Sequence, residues 1–260
     1  MDKKELKREV VKANCVLELE RKIVGVKFLF TKEEFEEAEA IAVSRKAQYC
    51  VMVKSATCGH SIKVAKHNFA CSASARALGI IKPDNEYKSG KSYKDYGFYK
   101  DIVISQKAIS NINLCDHEAY GVVIKPLDEF EVEPDIVIII ANPYNAMRIV
   151  QGYSYTYGIN PNFKMSGNQA ICAECTSYPF QSNDINVSLL CSGTRYGAGW
   201  KENELGIGMP FNKFSTVIDG IYSTVNDIET DEKKAIIKEK LDENKLTDLK
   251  IKLGTGYFLL

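Results

Sequence analysis

The sequence predicts an α/β protein in which helices surround a mixed sheet. Three observations carry that reading. Apolar runs of strand length recur, as "VGVKFLF" at 24–30, "YGVVIKPL" at 120–127 and "DIVIIIAN" at 135–142. Helical periodicity marks both ends of the chain. The two patterns also alternate along the sequence, as they do where helices pack on a sheet.

The elements follow in order. Residues 3–20 predict a helix, because Leu6, Val10, Ala13 and Leu17 fall on one face. After the strand at 24–30, Thr31 and Glu34 have the spacing of a capping box that opens a second helix. "QYCVMVKSATCGH" reads as a strand or a buried helix ending near Gly59, and "KHNFACSASARALG" as a helix stopped by Gly79. Residues 82–100 are polar and rich in tyrosine and turn formers, which predicts a long excursion outside the core. Two more strands follow. Pro143 then opens a helix, since its missing N–H falls where no intrahelical partner exists. "NQAICAECTSYP" predicts a short helix stopped by Pro179, and "INVSLLCSGTRYG" a strand running into a glycine turn. Phe214, Val217, Ile218, Ile221, Tyr222 and Val225 define an amphipathic helix, followed by a charged one at about 232–243.

The chain is long enough for one large domain, and its two passes share features that suggest intimately packed halves, about 1–115 and 116–260. Gly25 and Gly121 each open an apolar strand, and Cys71 and Cys172 each stand at the start of a later short helix. Such halves would be related by a pseudo-twofold axis, with chance similarity as the rival explanation.

Composition narrows the function. Thirty-four basic and 34 acidic residues balance, so no overall basic field exists to hold nucleic acid. No apolar run approaches the roughly 20 residues that span a bilayer. The charged N-terminus lacks the apolar segment of a signal peptide, so a cytoplasmic location is expected. Disulfides are rare there, and the eight cysteines read as thiols or thiolates. Abundant Lys, Ile and Asn point to a low-GC genome such as an anaerobe's.

The cysteines carry the chemistry. Cys172 and Cys175 form a single Cys-x-x-Cys, but a zinc ribbon needs a second pair and none exists. The ferredoxin run and the surroundings of a thioredoxin motif are absent as well. Position says more than spacing. Cys71 and Cys172 begin short helices, where N–H groups and the helix dipole favour thiolate charge. Cys191 ends an apolar run at a turn, and Cys50 follows Tyr49 in an apolar element. Four separate cysteines gathered by folding suit a 4Fe-4S cluster. Cys15 and Cys115 read as core residues, as free cysteine often is, and Cys58 and Cys175 stand in reserve.

These residues also resemble a known family, the one catalogued as domain of unknown function 169, found in archaea and anaerobic bacteria. The resemblance runs from about Gly25 to Pro210. It is carried by "YCVMVKSAT" with Cys50, "ACSASARALG" with Cys71, and "KPLDEFEVEPDIVIIIANPYNAMRIVQGY". It continues through "GNQAICAE" with Cys172 and Glu174, "VSLLCSGTR" with Cys191 and Arg195, and "ELGIGMP". It implies that Cys50, Cys71 and Cys172 are family positions, whereas Cys58 and Cys175 are particular to this chain. It supplies no substrate.

Other side chains were weighed against blander roles. Glu174 is a candidate acid or base beside a cluster, or a solvated helix carboxylate. Arg195 is a candidate clamp for a carboxylate or phosphate, or half of a structural ion pair. His60 and His67 are placed on the surface. Tyr153, Tyr155 and Tyr157 line either a pocket or a strand face. The expectation is therefore an oxygen-sensitive 4Fe-4S protein acting on a small molecule by redox or Lewis-acid chemistry. Cys50, Cys71, Cys172 and Cys191 are its ligands, and an electron donor protein is its partner. The alternatives are a non-catalytic metal-binding, ligand-binding or redox-sensing protein, and a metal-free thiol enzyme using Cys172.

Overall fold

The computed structural model describes residues 1–256. Its helices are α1 (Lys3–Leu17), α2 (Lys32–Glu37), α3 (Tyr49–Thr57), α4 (Ser72–Ala77), α5 (Asn85–Lys88), α6 (Lys91–Asp95), α7 (Ile102–Ser110), α8 (Pro143–Tyr157), α9 (Tyr178–Ser182), α10 (Phe211–Ile228) and α11 (Asp231–Glu243). Its strands are β1 (Val24–Leu29), β2 (Ile41–Ala42), β3 (Ile62–Ala65), β4 (Gly121–Pro126), β5 (Ile136–Ala141), β6 (Asn186–Ser188) and β7 (Leu205–Pro210). They form one seven-stranded sheet in the order β2-β3-β4-β1-β5-β7-β6. Only β2 and β3 pair in parallel, so the sheet is mixed and the fold is α/β.

Local signals act where the sequence places them. Asp2 and Glu5 make a reciprocal capping box on α1, and Thr31 and Glu34 make another on α2. Asn142 caps α8 through the Asn145 N–H, with Pro143 in the first turn. Because strand side chains alternate, each sheet face holds its own core. One face buries Leu29, Val123, Val137 and Ile139 beneath α1, α8 and α10. The other buries Val26, Phe28, Ile124 and Ile138 beneath α3, α4 and the segment around Cys172.

Several elements differ from expectation. Residues 49–57 are helical, which resolves the first ambiguous run. The 168–179 helix is not stopped by Pro179. Residues Ala170–Ser177 form a π-helix that passes into α9, and Pro179 lies just past the junction, in the first turn where proline is tolerated. The strand expected to open 185–197 and run into a glycine turn shortens to β6. Leu190 then adopts a left-handed conformation (φ 67°), and Gly193–Gly197 makes a second π-helical turn. Tyr153, Tyr155 and Tyr157 lie on helix α8, not on a strand. Tyr153 is buried and donates to Asp184, while the other two are exposed.

The sheet interleaves both parts of the sequence, since β4 lies between β1 and β3. The internal order of the two parts is not the same. In residues 25–80 strand β3 follows helix α3, whereas among the described residues of 121–180 no strand follows α8 before the segment that holds Cys172.

Residues 82–100 are not a plain excursion. They fold into α5 and α6, bury Tyr87 at 3% exposure, and bring Tyr93 and Phe98 over the site described next. Their polar residues face water while Tyr87 is buried and Tyr93 half-buried, a division that composition hides.

Candidate functional site

Four segments converge on one pocket of about 190 Å³. The first turn of α3 supplies Cys50, the N-cap of α4 supplies Cys71, the π-helix supplies Cys172, and the turn after β6 supplies Cys191. Cys172 is buried and the other three are half-buried. Among the described residues, no charged side chain and no histidine lines the pocket.

The surrounding chain explains why these sulfurs meet. Tyr49, fully enclosed, bonds through its hydroxyl to Thr176 Oγ1 at 3.1 Å, and Thr176 donates to the Ile171 carbonyl at 2.7 Å. That chain ties α3 to the π-helix. Against the sheet, the π-helix rests on two glycines of β7. A Cβ at Gly208 would stand 2.0 Å from the Cys175 carbonyl oxygen, and one at Gly206 would stand 2.8 Å from Cys175 Sγ. Only glycine permits this approach. It turns Cys175 to the sheet and Cys172, three residues earlier, to the pocket. π-Helical turns recur at functional sites because they re-aim side chains, and here they hold Cys172 and follow Cys191.

Burial, then the neighbouring sulfurs of Cys71, Cys191 and Cys50, pushes the Cys172 thiol well above its ordinary range. Burial, then Cys191 and Cys71, raises Cys50 to about 11. Without a cation these groups are thiols. Cys191 Sγ lies 3.1 Å from Thr194 Oγ1, and Cys50 Sγ lies 3.5 Å from Gln48 Oε1.

Gln169, which sequence reading passed over, forms part of the wall. It is 7% exposed and takes a left-handed conformation (φ 53°). Its Nε2 donates to Tyr87 and Tyr93 at 2.8 Å each, while Oε1 is buried with no partner among the described residues. An unpaired buried carbonyl is costly. Exchanging the amide's O and N would leave the other atom alone, so one unpaired polar atom persists either way.

The remaining candidates lie elsewhere. Glu174 is buried outside the cysteine pocket and lines a neighbouring one of about 320 Å³. It accepts from Ser166 N–H and Oγ at 2.6 and 2.9 Å and from the Ser188 hydroxyl, joining the 160s loop to β6. Arg195 donates to the carbonyls of Leu189 (3.0 Å), Glu204 (2.8 Å) and Lys201. It braces the loop behind Cys191 and does not line the pocket. His60 and His67 are exposed. Cys58 is exposed at the C-cap of α3, and Cys15 belongs to the core of the opposite sheet face. Cys115 is buried outside the pocket.

A family model, DUF169, described as an uncharacterised ArCR, matches residues 13–220. The chain belongs to the DUF169 family. All four pocket cysteines fall within the matched DUF169 span. The chain is also 29% identical over 225 residues to the uncharacterized protein MJ0308 of Methanocaldococcus jannaschii, covering 85% of this chain and 95% of that relative. No solved structure matches the chain. Among the described residues, no helix is long and apolar enough to cross a membrane.

Proposed function

We propose that Cys50, Cys71, Cys172 and Cys191 hold a 4Fe-4S cluster, and that the protein carries out redox chemistry on a small molecule beside it. The observation that carries this reading is the convergence of four cysteines from four segments on one uncharged pocket. Thiolate-only sites select iron–sulfur clusters, zinc or copper(I) over harder cations. Four sulfurs around one zinc ion would lie roughly 3.8 Å apart, given Zn–S bonds of about 2.3 Å. A 4Fe-4S cluster takes one thiolate at each of its four irons, and Cys50, Cys71, Cys172 and Cys191 supply that number.

The residues fit such a group in other ways. Binding would deprotonate the thiols, as a coordinated metal does outright. Four thiolates leave no iron open, which favours electron transfer over Lewis-acid chemistry. Cys50, Cys71 and Cys191 are half-exposed, which supports electron exchange with a donor protein on that side of the pocket. The unpaired Gln169 oxygen supports a further ligand at the wall. A metal-free thiol mechanism fits less well, because burial and neighbouring sulfurs both oppose a Cys172 thiolate.

Anaerobically purified protein is expected to be brown, with broad absorption in the visible blue that bleaches on reduction. Protein that stays colourless after reconstitution with iron and sulfide would overturn the reading.

A further inference from the structure

On the sheet face opposite the cysteines lies a second pocket, of about 530 Å³, a volume usual for small-molecule sites. Its walls include Leu29, Val123, Phe130 and Val132, and two lysines, Lys27 and Lys125, line it as well. Three lysines project from this region of the sheet, at Lys27 on β1, Lys63 on β3 and Lys125 on β4. Two of them are fully engaged. Lys27 pairs with Asp135 at 2.9 Å, and Lys63 donates to the carbonyls of Phe35, Glu36 and Ala38 at 2.7 to 3.0 Å.

Lys125 differs. It is 8% exposed, yet among the described residues its ammonium has no hydrogen bond and no ion pair. Its neighbour is the Phe130 ring, whose centroid lies 4.8 Å away. That ring is itself held close to the strand, since a Cβ at Gly25 would meet it at 2.4 Å. The amine thus sits against an aromatic ring in a pocket with apolar and glutamate walls, and a partly desolvated amine open to a cavity is a setting in which lysine becomes a nucleophile.

The geometry points to Lys125 as the amine of a second site, one that captures a small neutral aldehyde or ketone with an apolar body as a Schiff base. Neutral Nζ adds to the carbonyl carbon to give a carbinolamine. The two nitrogen protons then leave with the carbonyl oxygen as water, and the nitrogen lone pair closes the C=N bond. Neither an oxidant nor a reductant is required. Burial lowers the Lys125 pKa and enlarges its neutral share, Lys3 acts the same way, and Glu131, Glu39 and Glu129 act against it. Those carboxylates, with Glu34 and Glu37 on the pocket wall, disfavour an anionic carbonyl compound.

The test treats wild-type protein with butanal and cyanoborohydride, which fixes any imine as a secondary amine, and maps the label by peptide mass spectrometry. A parallel arm uses pyruvate. Lys125 is expected to react at least about tenfold faster than the exposed Lys32, Lys82 and Lys100, with a rate that saturates in butanal. This preference should vanish in urea, and pyruvate should label Lys125 more slowly. Labelling of Lys125 no faster than of those exposed lysines overturns the site. A preference that survives unfolding overturns the role of the pocket, and faster labelling by pyruvate overturns the neutral ligand class. Because no iron takes part, the result stands apart from the cluster reading.

Discussion

Cys172→Ser is expected to lose most of the bound iron, whereas Cys175→Ala, three residues along the same π-helix, keeps it. The two sulfurs are both buried, but one lines the pocket and the other faces Gly206 of the sheet. A serine oxygen is a harder and far less acidic ligand than a thiolate, so the fourth iron site weakens and oxygen gains access. Removing Cys175 leaves a small void costing on the order of 1 kcal/mol, with no ligand lost. Iron per chain after anaerobic purification distinguishes them. Equal iron in both variants would mean that Cys172 fills space as Cys175 does.

The largest effect on stability is expected far from the sulfurs. Arg148 and Glu229 form an ion pair of 2.6 Å, 1% and 3% exposed, between α8 and the end of α10. Arg148 also donates to Gln151 (2.6 Å), Thr224 (3.0 Å) and the Ile221 carbonyl (3.2 Å). Replacing Arg148 with Ala strands a buried carboxylate that, among the described residues, keeps only the Tyr144 hydroxyl as a direct donor. The expected loss is about 3–5 kcal/mol, against a smaller one when Arg148→Met is combined with Glu229→Leu, because no unpaired charge then remains. Urea unfolding of both variants measures the difference. A single variant no worse than the double one would show that the charges are not isolated from water.

Much of the fold was legible where one local rule governs. The capping box at Thr31, Pro143 at a helix start, and the apolar strands at β1, β4 and β5 all appear as the sequence indicates. Helix starts singled out Cys71 and Cys172, a strand end Cys191 and an apolar element Cys50, and all four line one pocket. The missed features depend on contacts between distant segments. A π-helix has nearly the same residue pattern as an α-helix, and what selects it here is the fit of Cys175 against Gly206 and Gly208, some 30 residues away. Strand β7 was hidden by those same glycines, which weaken any strand pattern. Gln169 looked like an ordinary polar residue because its partners, Tyr87 and Tyr93, lie in a stretch whose composition reads as loop. Lys125 carried one overlooked signal, a lysine inside an otherwise apolar strand, but only the structure shows that it lacks a partner.

The central claim is that four cysteines hold one cluster. Iron and acid-labile sulfide per chain in anaerobically reconstituted wild-type protein test it most directly. The account predicts about four of each, as a 4Fe-4S composition requires. Zinc in place of iron, or iron without matching sulfide, would contradict it.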